Sequence, residues 1–233
     1  MDFKIIFVFV LLMGLIGFVE ALPSGPDAIN ITSNETSTGS TSGSIVNISG
    51  GYVANLNVTA TVQNPHWKGF VGWIDGMFTL DDASGSSVYD WSLSSVSGEI
   101  YASRNASSVN WTGIGCASAA EIDVEDGLLD HTKEDNISST FSGLNSETYV
   151  IAGVQIAAGD CFAANSYINN VSQSGNFEEI VLHDSSNVLF AAEIENAVVG
   201  YDGVGYDFQM IVPENGNETF TGVSAYYLYV EID

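Results

Sequence analysis

Asparagines carry the clearest chemistry in this sequence. The triplet Asn-x-Ser/Thr occurs at Asn30, Asn34, Asn47, Asn57, Asn105, Asn110, Asn136, Asn170 and Asn217. With 18 Asn and 41 Ser plus Thr in 233 residues, chance pairing gives about three such triplets. Each triplet is an acceptor for a bulky, solubilising N-glycan on an exported chain, so the excess predicts a glycoprotein. Cys116 and Cys161 are the only cysteines. An even count outside the cell predicts one disulfide. It would close a loop of about 45 residues and stabilise by about 3–4 kcal/mol in the chain-entropy model.

Catalytic constellations are not marked. His66, His131 and His183 are the only histidines, and none has metal-ligand spacing. No Gly-x-Ser-x-Gly elbow points to a nucleophile, and no pair of carboxylates stands out as a glycosidase acid and base. Gly113-x-Gly115 is too short for a phosphate loop. No catalytic residue and no cofactor are therefore expected. The alternative is a divalent cation such as calcium, on which Asp75, Asp81, Asp82 and Asp90 could converge, although no motif supports it. Glu121-x-Asp123-x-Glu125-Asp126-Gly127 approaches an EF-hand loop, but its Gly stands seventh instead of sixth and no Glu stands twelfth. Asp75, Asp81, Asp82 and Asp90 surround an expected hairpin and read as solvated turn carboxylates. Trp67, Trp73, Trp91, Trp111 and Tyr226-Tyr227-x-Tyr229 would stack on sugar rings where exposed, although core packing is the expected role of most.

The elements that position these residues are mostly strands. Asn55–Val62 alternates apolar and polar residues with period two, the pattern of a half-buried strand. Further strands are expected at 69–80, 88–93, 98–103, 206–212 and 225–232, with a short one at 44–48. The almost wholly apolar run 148–157 reads as one strand buried on both faces. Residues 177–182 and 188–195, joined by His183-Asp184-Ser185-Ser186-Asn187, read as a hairpin. One helix is expected at about 118–141, with acidic residues at its start. Short strands at this spacing predict an antiparallel β-sandwich or a Greek-key barrel with that helix inserted.

Residues 1–21 read as a signal peptide: Lys4, an apolar run Ile5–Val19, and a small-residue exit at Ala21. The run is short for a spanning helix, so no membrane span is expected after cleavage. Residues 22–50 are rich in Ser, Thr, Gly and Asn and read as a flexible tether. Residues 51–233 form the expected β-rich extracellular domain. After residue 21 the chain holds 27 acidic residues against Lys68, Arg104 and Lys133. That balance repels phosphate backbones and anionic membranes, and excludes nucleic acid as a partner.

Several stretches occur in a telling order: Trp67-Lys68-Gly69-Phe70-Val71-Gly72, Thr79-Leu80-Asp81-Asp82-Ala83, Tyr89-Asp90-Trp91-Ser92-Leu93 and Gly98-Glu99-Ile100-Tyr101-Ala102. Asp160-Cys161, Asn176-Phe177-Glu178-Glu179, Tyr206 to Asn215 and Tyr226 to Glu231 follow. This succession resembles an uncharacterised family of exported cell-surface proteins from small-genome archaea. The resemblance implies a secreted or cell-surface location and archaeal N-glycosylation, and supplies no catalytic residues. The resulting expectation is a structural or adhesive surface protein. Its partners would be further copies of itself in a filament or coat, or other surface glycoproteins. The alternative is a module that binds glycans or a cell surface.

Overall fold

The computed structural model describes residues 22–39, 42–105 and 109–232. The expected signal segment 1–21 lies outside the described residues. The strands are β1 (Trp67–Gly72), β2 (Met77–Asp81), β3 (Ser87–Ser92), β4 (Gly98–Ser103), β5 (Gly115–Cys116), β6 (Gly143–Leu144), β7 (Tyr149–Ile151) and β8 (Val154–Ile156). They continue with β9 (Phe162–Asn165), β10 (Glu178–His183), β11 (Val188–Glu193), β12 (Val198–Val199), β13 (Gly205–Tyr206), β14 (Phe208–Pro213) and β15 (Tyr227–Ile232). Two helices, α1 (Ala119–Leu128) and α2 (Ile137–Thr140), are inserted between β5 and β6.

The main sheet runs β15-β4-β11-β10-β9-β6, all antiparallel, with β5 also pairing to β10. It is open at β15 and β6, so the fold is a sandwich and not a closed barrel. One face holds Ile100, Ala102, Val181, Phe190 and Ala192, and packs on β1, β14 and the two helices. The opposite face holds Tyr101, Ile180, Leu182, Leu189 and Ala191, and is covered by β7, β8 and Trp111. Burial on both faces explains why β10 and β11 are continuously apolar in their middle instead of alternating. At Gly98, φ is +122° and an added Cβ would lie 2.2 Å from the Glu231 carbonyl oxygen, so close approach of β15 requires glycine there.

Five expected elements are corrected. Residues 55–62 and 44–48 are not strands: both are exposed, and among the described residues nothing pairs with them. The run 148–157 is two short strands, β7 and β8, folded on each other at Ala152-Gly153, where both φ values are positive. The strand expected at 69–80 breaks into β1 and β2, since the Asp207 carboxylate captures the backbone N–H of Ile74. The single helix at 118–141 is two. Ser118 and Glu121 form a capping box at the start of α1. Asp126 then accepts the backbone N–H groups of Ile137 and Ser138, which starts α2 as a separate element.

Candidate functional site

The disulfide is present. Cys116 and Cys161 are bridged, with Cα atoms 4.9 Å apart. β5 and β9 lie end to end along the same edge of β10, and the bridge joins them there. Among the described residues there are no free cysteines.

The nine sequon asparagines are dispersed, not gathered into one site. Asn30, Asn34, Asn47, Asn57, Asn110, Asn170 and Asn217 are exposed, and Asn105 and Asn136 are half-buried. At Asn110 and Asn217 the sequon hydroxyl, of Thr112 and Thr219 respectively, donates to the asparagine Oδ1. That leaves Nδ2, the atom that carries a glycan, with no bond to its own triplet. Asn136 is the N-cap of α2 and accepts from the Ser139 N–H through Oδ1.

The structure assembles one constellation that sequence reading missed. Glu231, Glu99 and Glu193 are cross-strand partners on β15, β4 and β11. Glu178 continues the row on β10, next to Glu179 opposite Ala192. Glu99, Glu178 and Glu231 are buried. Tyr101 donates its hydroxyl to Glu231 at 2.7 Å. Glu231 also accepts the Ala152 N–H, and Glu178 accepts the Ser146 N–H, the Ser146 hydroxyl and the Tyr149 hydroxyl. These bonds fasten the β7–β8 hairpin and the loop before it to the end of the main sheet. Burial and the nearby glutamates push the Tyr101 and Tyr149 hydroxyls far above the normal tyrosine range, so both remain donors. Burial, then repulsion from Glu195, Glu147 and Glu178, raises Glu193. The signal in the sequence was faint: Glu193 and Glu231 end apolar runs and Glu99 and Glu178 precede such runs, but the four lie on strands up to 132 residues apart in sequence. Among the described residues no three His, Cys, Asp or Glu side chains are grouped to hold a metal ion.

The carboxylates singled out for calcium have other work. Glu121 to Gly127 lies within a helix, not a loop. There Glu121 caps the helix, Glu125 takes a two-point contact from Arg104 and Asp126 starts α2. Asp82 accepts the backbone N–H groups of Ser84 and Ser86 in the β2–β3 turn, and Asp81 accepts from Thr79.

Histidines are distributed in the same way. His66 Nδ1 lies 3.0 Å from Asp135, and Asn64 and Trp67 also bond to Asp135. His131 is buried, with Nε2 on the Glu214 carbonyl. His183 contacts Glu121, whose other oxygen takes the Ser118 hydroxyl. The carboxylate, not the imidazole, thus meets the serine. A cleft of about 550 Å3 lies beside the start of β2, lined by Asp75, Gly76, Leu93, Val96 and Asp207. In this cleft Asp207 accepts the N–H groups of Ile74 and Ala197.

Of the four tryptophans, Trp67 and Trp111 pack against the two cores. Trp73 and Trp91 are exposed. Tyr89 and Trp91 lie 4.9 Å apart on β3, and cross-strand pairing puts Phe78 opposite Trp91 and Leu80 opposite Tyr89. These four residues form one apolar face that stays open to solvent.

No family model matches this chain, and neither a curated protein nor a solved structure is significantly similar to it. Among the described residues no helix is long and apolar enough to cross a membrane.

Proposed function

We propose that this chain is an exported, N-glycosylated cell-surface protein with a structural or adhesive role, built to be a subunit of an extracellular filament or coat. The observation that carries the reading is a contrast in commitment. The buried carboxylates serve backbone, hydroxyl and cationic groups of the fold, whereas apolar chain is left outside: the Phe78, Leu80, Tyr89 and Trp91 face, and Leu56, Val58 and Val62 ahead of β1. Contiguous exposed apolar surface marks an interaction site. The disulfide, the export signal read in residues 1–21 and the accessible acceptor asparagines support an oxidising, extracellular setting. The resemblance to archaeal exported proteins supports the same location.

Electron microscopy of native extracellular and envelope fractions, with antibody labelling, tests this reading. Labelled filaments or a lattice are expected. Label scattered singly, or confined to the soluble fraction, would overturn it. One observation favours a second reading, a glycan-binding module: Tyr89 and Trp91 are neighbouring exposed aromatic rings on which a sugar could stack. A glycan array that lights up for the native protein and goes dark for Trp91→Ala would shift the weight there.

A further inference from the structure

We propose that Asn55–Val62 is a donated strand, which in an assembly of this protein adds to the outer edge of β15 in the next copy. The inference rests on the filament-subunit reading and names the partner: a second copy of this chain. Three observations carry it.

The first is the segment itself. Leu56, Val58, Ala60 and Val62 alternate with Asn55, Asn57, Thr59 and Thr61, the pattern of a strand with one dry face. Yet the segment is fully exposed, and among the described residues no backbone hydrogen bond ties 53–63 to the domain. Its downstream end is fixed. Asn64 bonds to Asp135 and to the His66 N–H, just before β1 begins. A strand-forming stretch is thus held at one end and left without a sheet.

The second is the receiving edge. β15 pairs with β4 on one side only. On its other side Val230 exchanges two backbone hydrogen bonds with Ser24, at 3.0 and 2.8 Å. This edge therefore already accepts extended chain from the region ahead of the domain, but at a single residue. Leu228 and Val230 are among the core residues left only partly buried, together with Phe70 and Ile74. A strand laid here would cover them with its apolar face, and would turn the Asn57 acceptor toward solvent. Eight extended residues span about 26 Å, enough to run the length of the six-residue β15. Main-chain hydrogen bonds would supply affinity, and the alternating side chains register.

The third is charge. The protein is strongly acidic, with formal net charge −25, and two of its copies repel. Residues 36–65 contain no Asp, Glu, Lys or Arg. This uncharged stretch can lie against another acidic copy without adding like-charge repulsion.

The test uses the full exported chain. Two singly substituted proteins, Thr61→Cys and Tyr227→Cys, are mixed under mild oxidation; both positions lie on the face opposite Leu228 and Val230, and the native disulfide leaves the introduced thiols free to react. A disulfide-linked pair between the two chains is expected, at least ten-fold above a mixture of Val88→Cys with Tyr227→Cys. In parallel, Leu56→Asp with Val58→Asp is expected to cut filament yield at least ten-fold and leave the melting temperature of the monomer unchanged, since these side chains touch no core. Wild-type filaments that persist in the double variant, or cross-linking no better than the control, overturn the donated strand and leave the subunit reading standing. A wild-type protein that forms no ordered assembly overturns both.

Discussion

The β10–β11 hairpin and the β2–β3 hairpin share one ladder chemistry and almost one length, yet their surroundings are opposite. Every residue of β10 and β11 except the terminal His183 and Glu193 is buried, and every residue of β2 and β3 is exposed. Both carry large apolar side chains. The first has core on each face of its sheet, whereas the second, among the described residues, pairs only with itself. An isolated hairpin is marginal in water, so β2–β3 depends on its attachment to the domain and contributes little in return. Contiguous apolar surface outside a core is the kind that marks an interaction site, and the subunit contact proposed above draws on this hairpin.

The largest effect comes from breaking the buried hairpin. Phe190→Ala is expected to destabilise by about 3–5 kcal/mol, and Leu189→Ala, on the opposite face, by about 2–5 kcal/mol. Urea unfolding of the two variants checks this. A small loss at either position would mean that one face of the sheet is not closed.

The next is the bridge that holds β5 and β9 against β10. Replacing Cys116 and Cys161 together by serine is expected to cost about 3–4 kcal/mol, because the reduced unfolded chain regains the freedom of a 45-residue loop. Denaturant midpoints with and without reductant measure it directly. The exposed hairpin lies outside that loop and is expected to keep its conformation.

A smaller effect separates two buried carboxyls by pH. Glu179 on β10 is wholly buried, and desolvation raises it well above the usual range, with only the Ile211 N–H opposing. A raised acid makes the folded state bind more protons than the unfolded state, so stability falls as pH climbs above about 4.5. Glu179→Gln is therefore expected to gain about 1 kcal/mol at pH 8 and nothing at pH 4. Glu214 has the opposite sign. Burial pushes it up, but bonds from Lys68, Ser224 and the backbone of Asn215 and Ser224 outweigh that and hold it at about 2. Its contribution is present above the unfolded value of about 4.5 and is lost as pH falls toward 2. Melting temperature against pH, for wild type and for Glu179→Gln and Glu214→Gln, shows whether the two slopes separate as stated.

The smallest effect on stability belongs to the exposed hairpin. Trp91→Ala is expected to change it by less than about 0.5 kcal/mol, while weakening whatever contact the protein makes through this face. A loss of several kcal/mol would show that β2–β3 belongs to the core after all, and would erase the comparison.

How far the site was legible in the sequence follows from the range of the forces. The turn at Asp82, the capping box at Ser118 and the asparagine triplets rest on residues within a few positions of each other, so they can be read along the chain. β4, β10 and β11 were also legible, because long apolar runs leave few alternatives to a buried strand. The split of 148–157 depended on Ala152-Gly153 adopting positive φ, which a nearly all-apolar run conceals. The row of Glu231, Glu99, Glu193 and Glu178 exists only once four strands are in register, and no local pattern encodes it.

Asn55–Val62 marks the boundary between the two kinds of information. By itself the sequence determined that this stretch prefers to be a strand, since period-two alternation is a local property of side chains. It likewise determined that two cysteines are available to pair and that nine asparagines carry acceptor triplets. Only the tertiary structure decided that the strand finds no partner among the described residues, that the cysteines meet along one edge of β10, and that the acceptors spread over the surface. Backbone hydrogen bonds in a sheet need a second strand at about 4.8 Å, and where that strand comes from is a matter of topology, not of local pattern.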